Sequence, residues 1–166
     1  MITYQQILQN KILSIDEVKK RANIWRMFNN KIVFTNGCFD ILHQGHVDYL
    51  TKAKDLGQKL IIGLNTDDSV KRQNKSPERP INTEHSRAFI LAALGFVDAI
   101  VLFDEETPYN LIKAIQPDFL VKGADYKPEE IIGYDILKAN GGEVVTIELT
   151  QGFSTTALIN KIALGK

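Results

Sequence analysis

Two histidines three positions apart carry the clearest chemical signal in this sequence. The stretch 35–46 reads TNGCFDILHQGH, and it ends in His43 and His46 at the start of a predicted helix. Histidines at this spacing project from one side of a first helical turn, beside the free backbone N–H groups of the helix N-terminus. Gly37 and Gly45 remove side chains where a phosphate approaches the backbone. The pattern therefore predicts a site that binds a phosphate-bearing anion.

Other phosphate and metal motifs are missing from the sequence. It contains neither a P-loop nor a dinucleotide-binding glycine fingerprint after a strand, so the histidines must hold the phosphate. A zinc site needs a third protein ligand, and Cys38 is the only thiol. We therefore expect no metal-ligating side chains among the site residues.

Length and charge exclude several classes of protein. The chain has 166 residues, with 20 Lys and Arg against 20 Asp and Glu, which suits one globular domain without a general affinity for nucleic acid or membranes. A single cysteine cannot form an internal disulfide, and residues 1–6 lack the pattern of a secretory signal. Its apolar runs are far shorter than the roughly 20 residues that span a bilayer. We expect a cytoplasmic protein that binds its anions locally.

Short apolar runs that alternate with helical stretches predict the fold. We expect a doubly wound parallel α/β sheet of about five strands, at 32–35, 60–64, 99–103, 119–122 and 144–148. The predicted helices lie near 46–56, 83–94, 108–115 and 128–139, with a last one after Ser154. Residues 1–30 form a helical extension of two helices, the second capped by Ser14 or Asp16, and residues 31–166 form one domain. The carboxyl ends of the strands should meet at one crevice, where a ligand binds.

The run from Thr35 to His46 resembles the opening motif of the HxGH nucleotidyltransferase superfamily, which includes cytidylyltransferases, phosphopantetheine adenylyltransferases and archaeal-type FAD synthetases. The resemblance implies a Rossmann-like fold with His43 and His46 as the catalytic residues. They would hold the nucleotide's phosphates and stabilise charge while an acceptor phosphate attacks the α-phosphate and pyrophosphate leaves. This chemistry needs positioning, electrostatics and Mg²⁺ with ATP, but no covalent nucleophile.

Later segments narrow the resemblance to bacterial heptose 1-phosphate adenylyltransferases. The similar stretches are NTDDSVKR at 65–72, RPIN at 79–82, EHSR at 84–87, PDFLVKGADY at 117–126 and NGGEV at 140–144. GFSTT at 152–156 is similar to the superfamily's Ser/Thr-rich nucleotide loop, although no arginine follows it. The resemblance covers about residues 31–162. It implies a nucleotide site of Thr35, Asn36, Gly37, Phe39, Gly45, Lys122, Gly123, Asp125, Ser154, Thr155 and Thr156, and an acceptor site of Asp40, Asn65, Asp67 and Arg79.

Several of these residue types also have structural interpretations. Lys71, Arg72, Lys75 and Arg79 form either a solvated polar loop or the local basic element that two phosphorylated substrates require. Lys122 ends an apolar strand, where an unpaired charge is costly, so a phosphate or a carboxylate should accompany it. Asp40, Ser154 and Thr155 are also helix-capping types, and Asp125 could cap a turn.

The predicted reaction transfers AMP from ATP to D-glycero-D-manno-heptose 1-phosphate, giving ADP-heptose and pyrophosphate for lipopolysaccharide core or surface-glycan synthesis. Alternatives are a glycerol-3-phosphate cytidylyltransferase, an FMN adenylyltransferase or a non-catalytic nucleotide-binding domain. Many relatives are fused behind a sugar kinase, and no such domain precedes this sequence, so a separate kinase is expected to supply the acceptor. Resemblance also implies a homodimer.

Overall fold

Parallel strands form the centre of the protein. The computed structural model describes residues 1–73, 78–124, 127–150 and 152–163. Within them the strands are β1 (Ile12–Leu13), β2 (Ile32–Gly37), β3 (Lys59–Asn65), β4 (Ala99–Phe103), β5 (Phe119–Gly123) and β6 (Glu143–Ile147). All paired strands run parallel, in the order β1-β4-β3-β2-β5-β6. The predicted doubly wound parallel sheet is confirmed.

Helices cover both faces of this sheet. They are α1 (Tyr4–Gln9), α2 (Ile15–Met27), α3 (Gln44–Asp55), α4 (Asp67–Arg72), α5 (Glu84–Ala93), α6 (Tyr109–Ile115), α7 (Tyr134–Ala139) and α8 (Thr155–Ala163). The single helix predicted over 128–139 is wrong, because a 3-10 turn at Pro128–Glu130 is separated from α7 by Gly133. Gly133 has φ of 98°, and a Cβ there would lie 2.9 Å from Ile112. The chain therefore bends against α6 before α7 begins.

Strand residues alternate between two apolar cores. Phe34 and Ile61 pack in one core with residues of α2, α6 and α7, whereas Val33, Leu60 and Ile62 pack in the other with residues of α3 and α5. Because both faces are covered, the central strands appear in the sequence as continuous apolar runs. No helix in the described ranges is long and apolar enough to cross a membrane.

The first 30 residues contribute to the sheet as well as to its helical cover. The two predicted helices are present, and Ser14 caps the second by accepting a hydrogen bond from the Glu17 N–H at 3.3 Å. Between them β1 pairs with β4, with Ile12 opposite Ile100. Two residues are too few to show a strand period, so the sequence pattern missed this sixth strand.

Candidate active site

A cavity of about 650 Å³ opens at the carboxyl ends of the central strands. Its walls come from the ends of β2, β3 and β5, the first turns of α3, and the segment between β6 and α8. This is the crevice expected for a ligand in a doubly wound sheet. Ten predicted site residues line it: Asn36, Gly37, Phe39, His43, Gly45, His46, Asn65, Lys122, Gly123 and Thr155.

The two histidines stack at the start of α3. His43 is the N-cap residue, and its ring centroid lies 3.9 Å from that of His46, with 24° between the ring planes. The backbone N–H of His43 donates a hydrogen bond to His46 Nδ1 at 3.4 Å. Since Nδ1 accepts this bond, a neutral His46 carries its proton on Nε2. The helix start thus fixes which nitrogen of His46 donates to a ligand.

Both histidines are held in the neutral form. Burial, the adjacent His43 and the Arg79 charge lower the pKa of His46 to about 4, and burial also lowers the pKa of His43. At neutral pH the pair therefore offers hydrogen-bond donors rather than positive charges. His43 Nδ1 is buried without a hydrogen-bond partner among the described residues, so it is a polar atom that a ligand could satisfy.

Gly45 makes room for protein side chains at the histidine pair. A Cβ at this position would lie 2.9 Å from the Cβ of Phe153 and 3.2 Å from Nδ1 of His43. The Phe153 ring stacks over His43 with 6.1 Å between centroids. Any larger residue at position 45 would therefore displace His43 or the segment that precedes α8.

Lys122 brings an ammonium group to the cavity from the end of β5. Its Nζ donates to Asn36 Oδ1 at the end of β2. Burial lowers the pKa of Lys122 to about 8, although the Cys38 thiol opposes that shift. Across the described ranges the ammonium has no carboxylate partner, so an amide oxygen takes the place of the carboxylate that the sequence allowed. Contact with a phosphate stays a prediction.

Some predicted nucleotide residues lie away from the cavity walls. Thr35 is fully buried and shares a 2.8 Å hydrogen bond with the hydroxyl of Tyr49, one turn beyond His46 on α3. Ser154 Oγ accepts the N–H of Ala157 at 3.2 Å, which is the capping contact that its residue type allows. Thr156 is exposed on α8, and Asp125 lies outside the described residues.

Asp40 and Arg79 pair with each other instead of lining the cavity. Arg79 Nε lies 3.1 Å from one carboxylate oxygen of Asp40, and the other oxygen accepts the backbone N–H groups of Ile81 and Asn82 at 2.8 and 3.0 Å. Burial raises the pKa of Asp40, but these three contacts outweigh it and hold the pKa below its ordinary value. The carboxylate therefore anchors residues 79–82 and caps no helix, since His43 is the N-cap of α3.

Asp67 forms an ion pair with a buried arginine. Its carboxylate lies 2.7 Å from Arg87, which is 1% exposed and also donates to the backbone oxygens of Cys38 and Asn82. Arg87 lies in a stretch that carries the resemblance, but no role at the site was predicted for it. Its signal was an arginine adjacent to Ala88 and four residues before Leu91, on the buried face of α5.

The polar loop expected around Lys71 and Arg72 is wrong, because both residues belong to α4. Lys71 pairs with Asp68 and Arg72 with Asp104, and Lys75 lies outside the described residues. Among the described basic residues of this segment, Arg79 is the one whose charge lowers the pKa of His46.

Comparison with known proteins decides the family. Residues 34–161, more than three quarters of the chain, match the cytidylyltransferase-like family. The chain belongs to the cytidylyltransferase-like family. The resemblance predicted from the motifs is confirmed.

Relatives of this cytidylyltransferase-like chain include two bifunctional HldE proteins. It is 54% identical over 160 residues to HldE of Wolinella succinogenes and 56% identical over 151 residues to HldE of Nitratiruptor sp.. These alignments cover 96% and 91% of this chain but 33% and 32% of those proteins. The chain therefore spans about a third of the length of these relatives.

Solved structures with the same architecture also match the cytidylyltransferase-like chain. A lipopolysaccharide core biosynthesis protein from Thermoplasma volcanium is 28% identical, with a TM-score of 0.58 over 73% of this chain and 97% of that one. Pantoate-beta-alanine ligase from Francisella tularensis is 18% identical and superimposes with a TM-score of 0.62 over 91% of this chain and 77% of that one. The second likeness shows the shared Rossmann-like fold alone.

The cavity of this cytidylyltransferase-like chain also contains residues that were not predicted. They are Cys38, Tyr49, Gln73, Glu106, Leu149, Thr150 and Phe153. The Cys38 thiol donates to Gln73 Oε1 at 3.3 Å. Glu106, Leu149 and Thr150 follow β4 and β6 without belonging to a motif, so position after a strand was the available signal for these three.

Proposed function

We propose that this chain transfers AMP from ATP to D-glycero-D-manno-heptose 1-phosphate and releases ADP-heptose and pyrophosphate. The observation that carries the proposal is identity of 54% to HldE over 96% of the chain. The motif at 117–126, which includes Lys122, supports it. The likeness to a lipopolysaccharide core biosynthesis protein fits a product used for that core or another surface glycan.

The stacked histidines and Lys122 suit an in-line transfer. An oxygen of the acceptor phosphate forms a bond to the α-phosphorus of ATP, while the bond from that phosphorus to the bridging oxygen breaks and pyrophosphate leaves with the electron pair. His46 Nε2–H and the N-terminus of α3 donate to phosphate oxygens, where negative charge builds up. The ammonium of Lys122 neutralises part of that charge without forming a covalent bond.

Magnesium enters this proposal together with ATP. Among the described residues, no group of three His, Cys, Asp or Glu side chains is arranged to hold a metal ion. The triphosphate oxygens would therefore supply the ligands of Mg²⁺, and the ion would neutralise charge on the departing pyrophosphate. The protein's own part is to orient the reacting phosphates.

The proposed acceptor implies which kind of reaction must supply it. A sugar kinase reaction has to supply a sugar 1-phosphate, and we propose that both steps occur in the cytoplasm. We also propose a homodimer and retain the division into a helical extension, residues 1–30, and a nucleotidyltransferase domain, residues 31–166.

The test is pyrophosphate release by the purified protein with Mg²⁺, crossing ATP, CTP and GTP with heptose 1-phosphate, glycerol 3-phosphate and FMN. We expect release only with ATP and heptose 1-phosphate. His46→Ala should lower kcat by about 10²–10³-fold, since the donor acts mainly in the transition state. His85→Ala is the matched control, because His85 is exposed on α5.

Other outcomes would select the alternatives. Release with CTP and glycerol 3-phosphate, or with ATP and FMN, would keep the chemistry and change the substrates. No release with any pair would identify a non-catalytic nucleotide-binding domain. An unchanged kcat in His46→Ala would remove this histidine from the mechanism.

A further inference from the structure

The cavity has two chemically different ends. The end of β5 and the start of α3 contribute Lys122 and the two histidines, which are donors suited to phosphates. Toward β3 and β4 the cavity presents Asn65, Gln73 and Glu106. Glu106 is the only carboxylate among the described residues that line the cavity. An acid at this end repels a phosphate, so the second end needs a different ligand group.

Gln73 is directed toward the cavity by its contact with Cys38. It is the C-cap residue of α4, and its Oε1 accepts the Cys38 thiol at 3.3 Å. No described residue accepts a hydrogen bond from the Gln73 side-chain amide N–H groups. Within the described ranges these groups are therefore available to donate to a ligand.

Contacts between α4 and the turn after β4 hold Glu106 on the same wall of the cavity. Two residues earlier, the Asp104 carboxylate accepts the hydroxyl of Thr66 and lies 2.9 Å from Nη2 of Arg72. Thr66 and Arg72 mark the two ends of α4, and the Thr66 N–H donates to the Phe103 oxygen at 3.1 Å. The turn that carries Glu106 is thus fixed to the helix that carries Gln73.

An amide beside a carboxylate is suited to hydroxyl groups. A carboxylate accepts hydrogen bonds from hydroxyls, and an amide both donates to and accepts from them. Within the described ranges the Glu106 carboxylate has neither a hydrogen bond nor an ion pair. We propose that Gln73 and Glu106 bind the ring hydroxyls of the acceptor sugar phosphate and select a polyhydroxylated acceptor. This inference rests on the proposed function and assigns the contacts that choose its acceptor.

The experiment measures steady-state pyrophosphate release by the full chain and its Glu106→Gln and Gln73→Leu variants. With ATP and heptose 1-phosphate, we expect each variant to raise the acceptor KM about tenfold or more, because Gln73→Leu removes a polar partner and Glu106→Gln replaces a charged acceptor of the hydroxyls with a weaker neutral amide. The KM for ATP and kcat should stay within about twofold. Glu105→Gln is the matched control, since that exposed carboxylate does not line the cavity.

Each result has a defined meaning. An active wild type whose acceptor KM is unchanged in both variants overturns this inference and leaves the proposed function standing. A wild type that is inactive with every acceptor overturns both. If Glu106→Gln does not fold, as judged by thermal unfolding, Gln73→Leu decides alone. If another hydroxylated acceptor is used, a tenfold rise in its KM supports the inference while the proposed substrate is replaced.

Discussion

Arg87 and Lys122 are both cations withdrawn from water, and their surroundings differ completely. Arg87 is 1% exposed and has a carboxylate and two backbone oxygens as partners. Lys122 donates to one amide oxygen of Asn36 and has no carboxylate partner in the described part of the chain. A buried charge that is fully paired maintains structure, whereas one without a counter-charge is a candidate for binding an anionic ligand.

The same contrast separates two regions of the site. Around Arg87, an ion pair with Asp67 and hydrogen bonds to the backbone oxygens of Cys38 and Asn82 join these three segments into one support. Around Lys122 and the histidines, burial instead disfavours charge, and the pKa values of Lys122 and His46 fall to about 8 and about 4. The charge of Arg87 is therefore paired within the protein, whereas the charge of Lys122 is not.

The largest effect is expected from Arg87→Met. This change keeps side-chain bulk but leaves Asp67 and two backbone oxygens without their partner, so the free energy of unfolding should fall by about 3–5 kcal/mol. Urea unfolding measures it. Lys71→Met, in an exposed pair with Asp68, is the control and should leave stability unchanged. Equal stabilities of the two variants would contradict a supporting role for Arg87.

Unlike Arg87→Met, Lys122→Met should lower activity without lowering stability. We expect kcat/KM for ATP to fall about 10–100-fold, because a phosphate loses its charged partner. The free energy of unfolding at pH 7 should not fall, because the variant no longer buries an ammonium without a counter-charge. Activity and urea unfolding are measured on the same preparation.

Lys127→Met is the matched control for this lysine. Lys127 is exposed and lies 3.9 Å from Glu130, so neither activity nor stability should change. If Lys122→Met instead loses stability as Arg87→Met does, the distinction between the two buried cations fails.

The fold was predictable where burial leaves a pattern in the sequence. Strands such as β3 and β4 are covered on both faces, so they appear as apolar runs with turn residues after them. The two-residue β1 is defined by its pairing with β4 rather than by its own residues. Gly133 gives little sign of the left-handed turn that interrupts the predicted helix, because the contact that requires glycine comes from Ile112 on α6.

The residue types of the site could be predicted from the sequence, but the ion-pair and hydrogen-bond partners of those residues could be predicted less well. His43, His46 and Lys122 occur at strand ends and helix starts, and the cavity brings them together. Arg79 and Asp40 carry the charges expected of ligand-binding groups, but their pairing depends on a contact across 39 positions. Sequence spacing cannot show such a contact.

The smallest expected effect is the change of kcat/KM with pH that results from the titration of Lys122. Its pKa of about 8 lies below the ordinary 10.5, so the folded protein loses this proton first as pH rises. Between pH 7 and pH 9, kcat/KM for ATP should fall by up to about tenfold, as the ammonium becomes neutral. Because folding lowers the pKa of Lys122, the unfolded chain binds more protons than the folded protein between about pH 8 and 10.5. The contribution of Lys122 to the free energy of unfolding should therefore rise over this range.

Lys122→Arg separates this titration from that of other groups. A guanidinium stays protonated throughout the range, so a variant that retains activity should lose the decline above pH 8. Bound phosphates raise the pKa of the ammonium, so the wild-type kcat should decline at a higher pH than kcat/KM. A basic limb that persists unchanged in Lys122→Arg would assign the titration to a different group.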